Sequence, residues 1–370
     1  MAKIYHFAKF DKLNEKPYGG GEVGNRRTMQ MLKELGYEVI LIHRYCNYKQ
    51  KSKWVYIEMI LGDLFAVFKM FCLLSIKSRK NSIVHISGFT GAYMPIEWLS
   101  VMLAKLLGYG VTYEIRGGGI VGFYNDGNKI YKWLFASTLK LADHIWSQGL
   151  ENKELVNKLT SSSFFHYPNC VSPDFMPRQI PQKSLNPIKI AYVGRLSPVK
   201  HVDLIIDTLY LLLEKGYDVS LDIIGDGIDY PQYVYSLKEQ VKKLGLDSKC
   251  TFHGNLNKEN MKSLLLPASF FLFPTEEPRE GQSNSLTETM SFGVIPIATS
   301  QGYNRSTISC DKLICDDLTA QAYSDKVMHV LTNEGIDYYS HMMYNHVIEC
   351  FTYDKVKEMV NKEYLKIFKV

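Results

Sequence analysis

Two cations and two carboxylates stand where the sequence could do chemistry. In AYVGRLSPVKHVDLIIDTL, Gly194 and Arg195 follow directly on an apolar β-type run, and Lys200 opens the next helical run. Two cations on one post-strand loop are placed to neutralise a diphosphate that departs as a leaving group. A single solvated Lys would be unremarkable; the pair in this context is more specific. Further on, SFFLFPTEEPREGQSNSLTETMSFGVIPIATS places Glu280 and Glu288 with seven residues between them, Gly281 after the first and a helix starting near Asn284. Carboxylates accept hydrogen bonds from vicinal sugar hydroxyls. The free N–H groups of a helix start, here around Gln282 to Ser285, point at a sugar or a phosphate. The competing reading is a surface acidic pair.

The first half offers weaker candidates. KPYGGGEVGNRRTMQMLKELG sets Gly19, Gly20 and Gly21 before a helix, which reads either as a phosphate nest or as a plain Gly-rich turn. It fits neither a P-loop nor G-x-G-x-x-G. After VTYEIR come Gly117, Gly118 and Gly119, with Glu114 and Arg116 on the strand's end. Arg beside a Gly cluster suits an oxyanion or a closely approached sugar hydroxyl, or else Arg116 simply pairs with Glu114. No Asp-x-Asp occurs, so the usual carboxylate grip on a metal-bridged diphosphate is missing and no metal is expected.

These loops need strands and helices to hold them. One unit recurs: a helical stretch, a Gly that stops it, then a β-branched run. The stopping residues are Gly36, Gly108, Gly216 and Gly293, each where a left-handed C-cap is wanted. Further strands are expected at 3–8, 82–87, 144–148, 164–168, 188–194, 250–254 and 270–274. Strands alternating with helices on both sides of residue 180 predict an α/β chain of two doubly wound, Rossmann-like domains facing across a cleft. We place them at 1–178 and 186–350, joined by the Pro-rich 173–187. The helical stretch at about 354–370 fits either domain, including a return to the first. Ligands of such sheets bind beyond the strands' carboxyl ends.

The length of 370 residues agrees with two domains, and 46% hydrophobic with 22% charged residues is ordinary for a globular chain. Seven Cys, with no C-x-x-C, fit a reduced cytosol. The N-terminus lacks the apolar stretch of a signal peptide. The first 180 residues hold 23 Lys and Arg against 14 Asp and Glu, and the remainder 20 against 24. A basic half suits an anionic membrane, a phosphorylated ligand or nucleic acid. The most apolar stretch, 54–76, is interrupted by Glu58, Asp63 and Lys69, which argues against a spanning helix. Lys49, Lys51 and Lys53 precede it and Lys77, Arg79 and Lys80 follow. It reads as a helix packed on a sheet, or as a surface that also docks on lipid.

YVGRLSPVKHVDLIIDTL through LDIIGDG and FHGNL to EGQSNSLTETMSFGVIPIA resembles the donor-binding half of glycosyltransferase family 4, retaining nucleotide-sugar transferases of GT-B fold. The resemblance is strong over about 165–305 and weaker in GGGEVGNRR and LADHIWSQ; PNCVSPDFMP resembles the family's hinge. It implies that Arg195 and Lys200 bind the donor diphosphate, that Glu288 holds the ribose and that Glu280 contacts the donor sugar. Asn284 and Ser285 add N–H contacts to phosphate, Gly20 approaches the diphosphate, and Asp226 and Gly254 lie near the nucleoside; Gly194 and Gly281 also belong to the donor-binding set. Many members place a His after a first-domain strand; here Glu114, Arg116 and Gly117 occupy that region. The function implied is metal-independent, retaining transfer of a hexose from a UDP- or GDP-sugar, as co-substrate rather than cofactor. The acceptor is a glycan or lipid-diphosphate-linked chain in polysaccharide biosynthesis, in the cytoplasm or peripheral to its membrane. The rival functions are a nucleotide-sugar epimerase or hydrolase and a non-catalytic sensor; no nucleic-acid module is recognisable.

Overall fold

The computed structural model describes residues 2–10, 20–44, 53–89 and 91–368. It divides into two compact units, Met1–Pro168 with Lys357–Val370, and Asn169–Val356.

The first unit carries β1 (Lys3–Lys9), β2 (Glu38–Arg44), β3 (Ser82–Gly88), β4 (Gly110–Ile115), β5 (His144–Ser147) and β6 (Ser163–His166). They form one sheet in the order β2-β1-β3-β4-β5-β6, every pairing parallel. Its helices are α1 (Gly20–Glu34), α2 (Lys53–Ile76), α3 (Met94–Leu106), α4 (Ile120–Asp126), α5 (Lys129–Leu141) and α6 (Lys153–Leu159). The second unit carries β7 (Ile188–Val193), β8 (Val219–Ile224), β9 (Cys250–Gly254), β10 (Phe270–Phe273) and β11 (Ile295–Ala298), parallel in the order β11-β10-β7-β8-β9. Its helices run α7 (Val202–Glu214), α8 (Pro231–Lys243), α9 (Lys258–Leu265), α10 (Asn284–Met290), α11 (Asn304–Ile308), α12 (Ala320–Thr332) and α13 (Gly335–Cys350). In the last helix, α14 (Tyr353–Ile367), residues from Lys357 on count with the first unit.

The near-continuous apolar runs of β1, β3, β4 and β10 follow from burial on both faces, as parallel sheets require. Four of the helix-to-strand joints turn on the expected glycines: Gly36, Gly108, Gly216 and Gly293 have φ of 82°, 76°, 85° and 69°. At the first, Gly36 N donates to Lys33 O and Tyr37 N to Leu32 O, a Schellman closure that an L side chain would strain.

The Pro-rich stretch is not a free linker. The cut falls at Pro168/Asn169, and 173–187 lies within the second unit. Phe175 packs edge-on against Phe292, Tyr344 Oη donates to Pro177 O at 3.0 Å, and Ser184 N donates to Pro267 O at 3.1 Å. Prolines there fix φ in a strap laid on the core. The revised cut also sharpens the charge split: the first unit holds 26 Lys and Arg against 15 Asp and Glu, the second 17 against 23.

Candidate functional site

In the second sheet, β7 lies between β8 and β10, so the chain leaves it in opposite directions on its two sides. The loops after β7 and β10 therefore part at the switch point of the sheet, where open α/β sheets bind ligands. A pocket of about 410 Å³ opens there, lined among others by Gly194, Arg195, Lys200, Glu280, Ser283 and Ser285. Two elements far apart in sequence thus deliver both predicted cations and one predicted carboxylate to one place.

Lys200 is almost buried and makes a short ion pair with Glu280. Its Nζ also donates to Thr275 Oγ1 at 3.1 Å and lies 4.9 Å from the Phe273 ring centroid. A low-dielectric wall strengthens each of these contacts. Arg195 is the opposite: its side chain is 68% exposed, with Nη2 3.9 Å from Glu277 Oε2, so the guanidinium is held weakly. Its backbone is fixed, however, because Tyr192 Oη donates to Arg195 O at 2.8 Å. Burial pushes the Tyr192 phenol well above its ordinary range, so it stays a donor. The loop after β10 is tied to the loop after β7 by Glu276 N to Val199 O at 2.8 Å and by His201 Nε2 with Glu276 Oε2 at 2.6 Å.

Two glycines shape this pocket without carrying chemistry. Gly225 has φ +130° and a Cβ there would stand 1.9 Å from Gly194 O. Gly302 has φ +63°, and its Cβ would stand 2.1 Å from Glu280 O. Both positions exclude any side chain where backbones cross under the site.

Other predicted residues take different places. Asp226 follows β8 and Gly254 ends β9: Leu196 N donates to Asp226 O, Asn255 Nδ2 donates to the Asp226 carboxylate, and Gly225 N donates to Gly254 O. Asn284 and Glu288 lie on α10, half-buried, and with Gly281, Asp226 and Gly254 they are not among the residues lining the pocket. Gln282 is occupied in full view of the predicted hinge: Asn169 N donates to Gln282 Oε1 at 2.5 Å, and Asn169 Nδ2 to Gln282 O at 2.9 Å. Thr275, Gly225 and Gly302 escaped the sequence reading, which placed Gln282 at the helix start but not its bonds to Asn169; the polar TEE run after β10 was the one available signal.

In the first unit Gly20 is the exposed first residue of α1, while Gly19 lies outside the described residues. Gly117 is half-buried after β4. Glu114 and Arg116 must be corrected. Both are buried, and Arg116 Nε lies 2.8 Å from Glu114 Oε1 without hydrogen-bond alignment. Glu114 Oε2 accepts from Ser87 Oγ and meets His85 Nε2, both at 3.0 Å, while His85 Nδ1 meets Tyr364 Oη at 2.6 Å. Arg116 Nη2 donates to Thr28 Oγ1 at 2.6 Å. Burial alone pushes the Glu114 carboxyl up, but Arg116, the His85 bond and the neighbouring histidines outweigh it and hold it at about 2. Burial, then His85, keeps His6 well below the ordinary histidine range, hence neutral. His6, His85 and Glu114 bring potential ligand atoms within 4.8 Å of one another, yet Arg116 already supplies the cation there. This cluster cements the core of the first unit; it does not present a carboxylate to a ligand.

Comparison with known proteins agrees with this geometry. The family described as Glycosyl transferases group 1 matches residues 177–346. Mannosylfructose-phosphate synthase of Agrobacterium fabrum is 28% identical over 137 residues, 34% of this chain and 30% of that protein, so the match spans under a third of the relative. Among solved structures, sucrose-phosphate synthase from Thermosynechococcus elongatus superposes with a TM-score of 0.71 at 13% identity, covering 100% of both chains. Anabaena Alr3699/HepE in complex with UDP gives 0.70 at 12% identity, covering 99% of this chain and 100% of that one. The same protein has been solved with UDP-glucose. Residues 177–346 thus match the group 1 glycosyl transferases, and over its whole length the chain has the two-domain GT-B fold of these solved structures.

Proposed function

We propose that the protein is a cytoplasmic, retaining and metal-independent hexosyltransferase that takes its sugar from a UDP- or GDP-sugar. The carrying observation is the convergence of Arg195, Lys200 and Glu280 on one pocket at the β7/β10 switch point. Glycosyl transfer develops positive charge on the sugar and negative charge on the departing diphosphate. Arg195, exposed and weakly paired, is free to swing onto that phosphate. Lys200 exchanges its Glu280 contact for the phosphate as charge builds, which leaves the Glu280 carboxylate for sugar hydroxyls. Two cations, Lys200 held in place and Arg195 able to reach the phosphate, supply the neutralisation that a metal would otherwise bring, which supports metal independence. The UDP and UDP-glucose held by HepE support a nucleoside-diphosphate sugar as donor. Retention follows from the resemblance to family 4. The positive first unit suits a phosphorylated acceptor, a glycan or a lipid-diphosphate-linked chain in polysaccharide biosynthesis.

The test is a thermal-shift panel of UDP-, GDP-, ADP- and CMP-sugars, with and without EDTA. One nucleotide class should raise the melting temperature, in chelator as well as without it, and Arg195→Ala should reduce the shift. No shift with any donor refutes the reading; a shift abolished by EDTA refutes metal independence.

A further inference from the structure

The largest feature the pocket leaves unused is α2. Its inner face is fastened to the first unit: Ala66, Val67, Met70 and Leu74 are buried, and Tyr109 Oη donates to Leu74 O at 3.0 Å. Asp63, one of the charges that interrupts its apolar sequence, turns inward onto Arg44 at 3.2 Å, and Arg44 also meets Glu97 at 3.3 Å. The outer face is apolar as well. Ile57, Leu61, Leu64, Phe65, Phe68 and Phe71 recur every three or four residues and are all exposed, Leu61 at 61% and Phe68 at 60%. Residues 57–76 are long and apolar enough to cross a membrane by length and composition.

We propose that this outer face of α2 lies in the surface of an anionic lipid bilayer, with the helix parallel to the membrane rather than across it. Three observations favour lipid over a protein partner. The charge at the patch is basic on balance: Glu58 is exposed on the helix, but Lys69 Nζ lies 4.4 Å from the Phe65 ring centroid, and Lys77, Arg79 and Lys80 are exposed just beyond the helix. Lysines that fold their stems along apolar rings with the ammonium at the rim are the arrangement of an interfacial helix. The same helical layer continues it, because α2 packs on α3 and α3 on α5, where Leu106, Ile130 and Trp133 are exposed. An exposed Trp among lysines 129 and 132 matches the chemistry of the headgroup boundary. Finally, the unit bears a large positive excess, which an anionic leaflet attracts. The Asp63–Arg44–Glu97 lock decides between lying and spanning: a spanning α2 would have to tear that buried network open.

The experiment floats the full-length protein with neutral phosphatidylcholine vesicles and with vesicles enriched in phosphatidylglycerol. Binding should strengthen at least tenfold in the anionic vesicles, weaken with salt, and be reversed by a carbonate wash. The triple variant Leu61→Ser, Phe65→Ser, Phe68→Ser, at exposed positions that spare the fold, should lower partitioning at least tenfold with an unchanged donor thermal shift. Lys77→Gln with Arg79→Gln and Lys80→Gln should lower it severalfold in anionic vesicles alone. Absence of binding to either vesicle overturns the proposal, as does binding the triple variant retains. Retention after carbonate overturns the parallel orientation. A homodimer in sedimentation that the triple variant dissolves would assign the face to a second copy instead.

Discussion

Glu114 with Arg116 at the end of β4, and Lys200 with Glu280 at the ends of β7 and β10, are both ion pairs at the carboxyl edge of a parallel sheet. Their surroundings differ. The first pair is closed over by His6, His85 and Tyr364, and its remaining polar atoms meet Ser87 and Thr28. The second pair forms one wall of an open pocket with an exposed Arg195 beside it. Charge at a strand's end is therefore not in itself a functional signal. What separates the two is whether the pair retains a face that a ligand can displace.

Breaking the sealed pair should have the largest effect. Glu114→Ala leaves Arg116 buried without its carboxylate, and removing one partner of a buried pair costs about 3–5 kcal/mol. Urea denaturation, followed by a probe in the first unit, should show that loss. The pH dependence has a definite sign. A carboxyl held at about 2 in the folded chain, below its unfolded value near 4.3, contributes stability that is complete above that unfolded value. That contribution fades as pH falls towards about 2, so Glu114→Gln should flatten the acid limb. A variant as stable as the parent would show that the cluster is spare.

Weakening the open pair should tell in catalysis before stability. Loss of one preorganised donor to developing negative charge typically costs about 10²–10³-fold in turnover. Arg195→Ala is the cleaner variant, since an exposed side chain away from the core changes stability by about 0.5 kcal/mol or less. Lys200→Ala should match it in turnover but also lower the melting temperature, because Glu280 is then left half-buried with Thr275. Wild-type initial rates in either variant would remove the assignment.

The contrast also explains what could be read in advance. Strands such as Cys250–Gly254 were legible because a β-branched or aromatic run bounded by Gly has few alternatives. Arg195 and Lys200 were legible because a strand followed by a helix dictates where the intervening loop lies. Glu114 was not, since its inward turn depends on His85 and, through it, on Tyr364, 279 residues from that His. Gly302 was hidden for the same reason: nothing local announces that its backbone passes beneath Glu280. Local pattern fixes elements and their loops, whereas crossings of distant chain decide which side of a loop residue meets solvent.

A third buried cation completes the comparison and carries the smallest effect. Lys183 donates to the Phe292 carbonyl at 2.6 Å, a neutral acceptor where Lys200 and Arg116 have carboxylates, and burial pulls its ammonium down to about 7. Its unfolded value is near 10.4, so between the two the unfolded chain holds the extra proton and folding gains stability as pH rises. From pH 7 to pH 9 that gain is about 2 kcal/mol. Lys183→Met keeps the stem and removes the charge, so the stability difference between variant and parent should shrink by that amount across the window. Urea midpoints at pH 7, 8 and 9 read it directly. A difference that stays constant would mean that the ammonium reaches water and that a carbonyl serves a buried Lys as well as a carboxylate does.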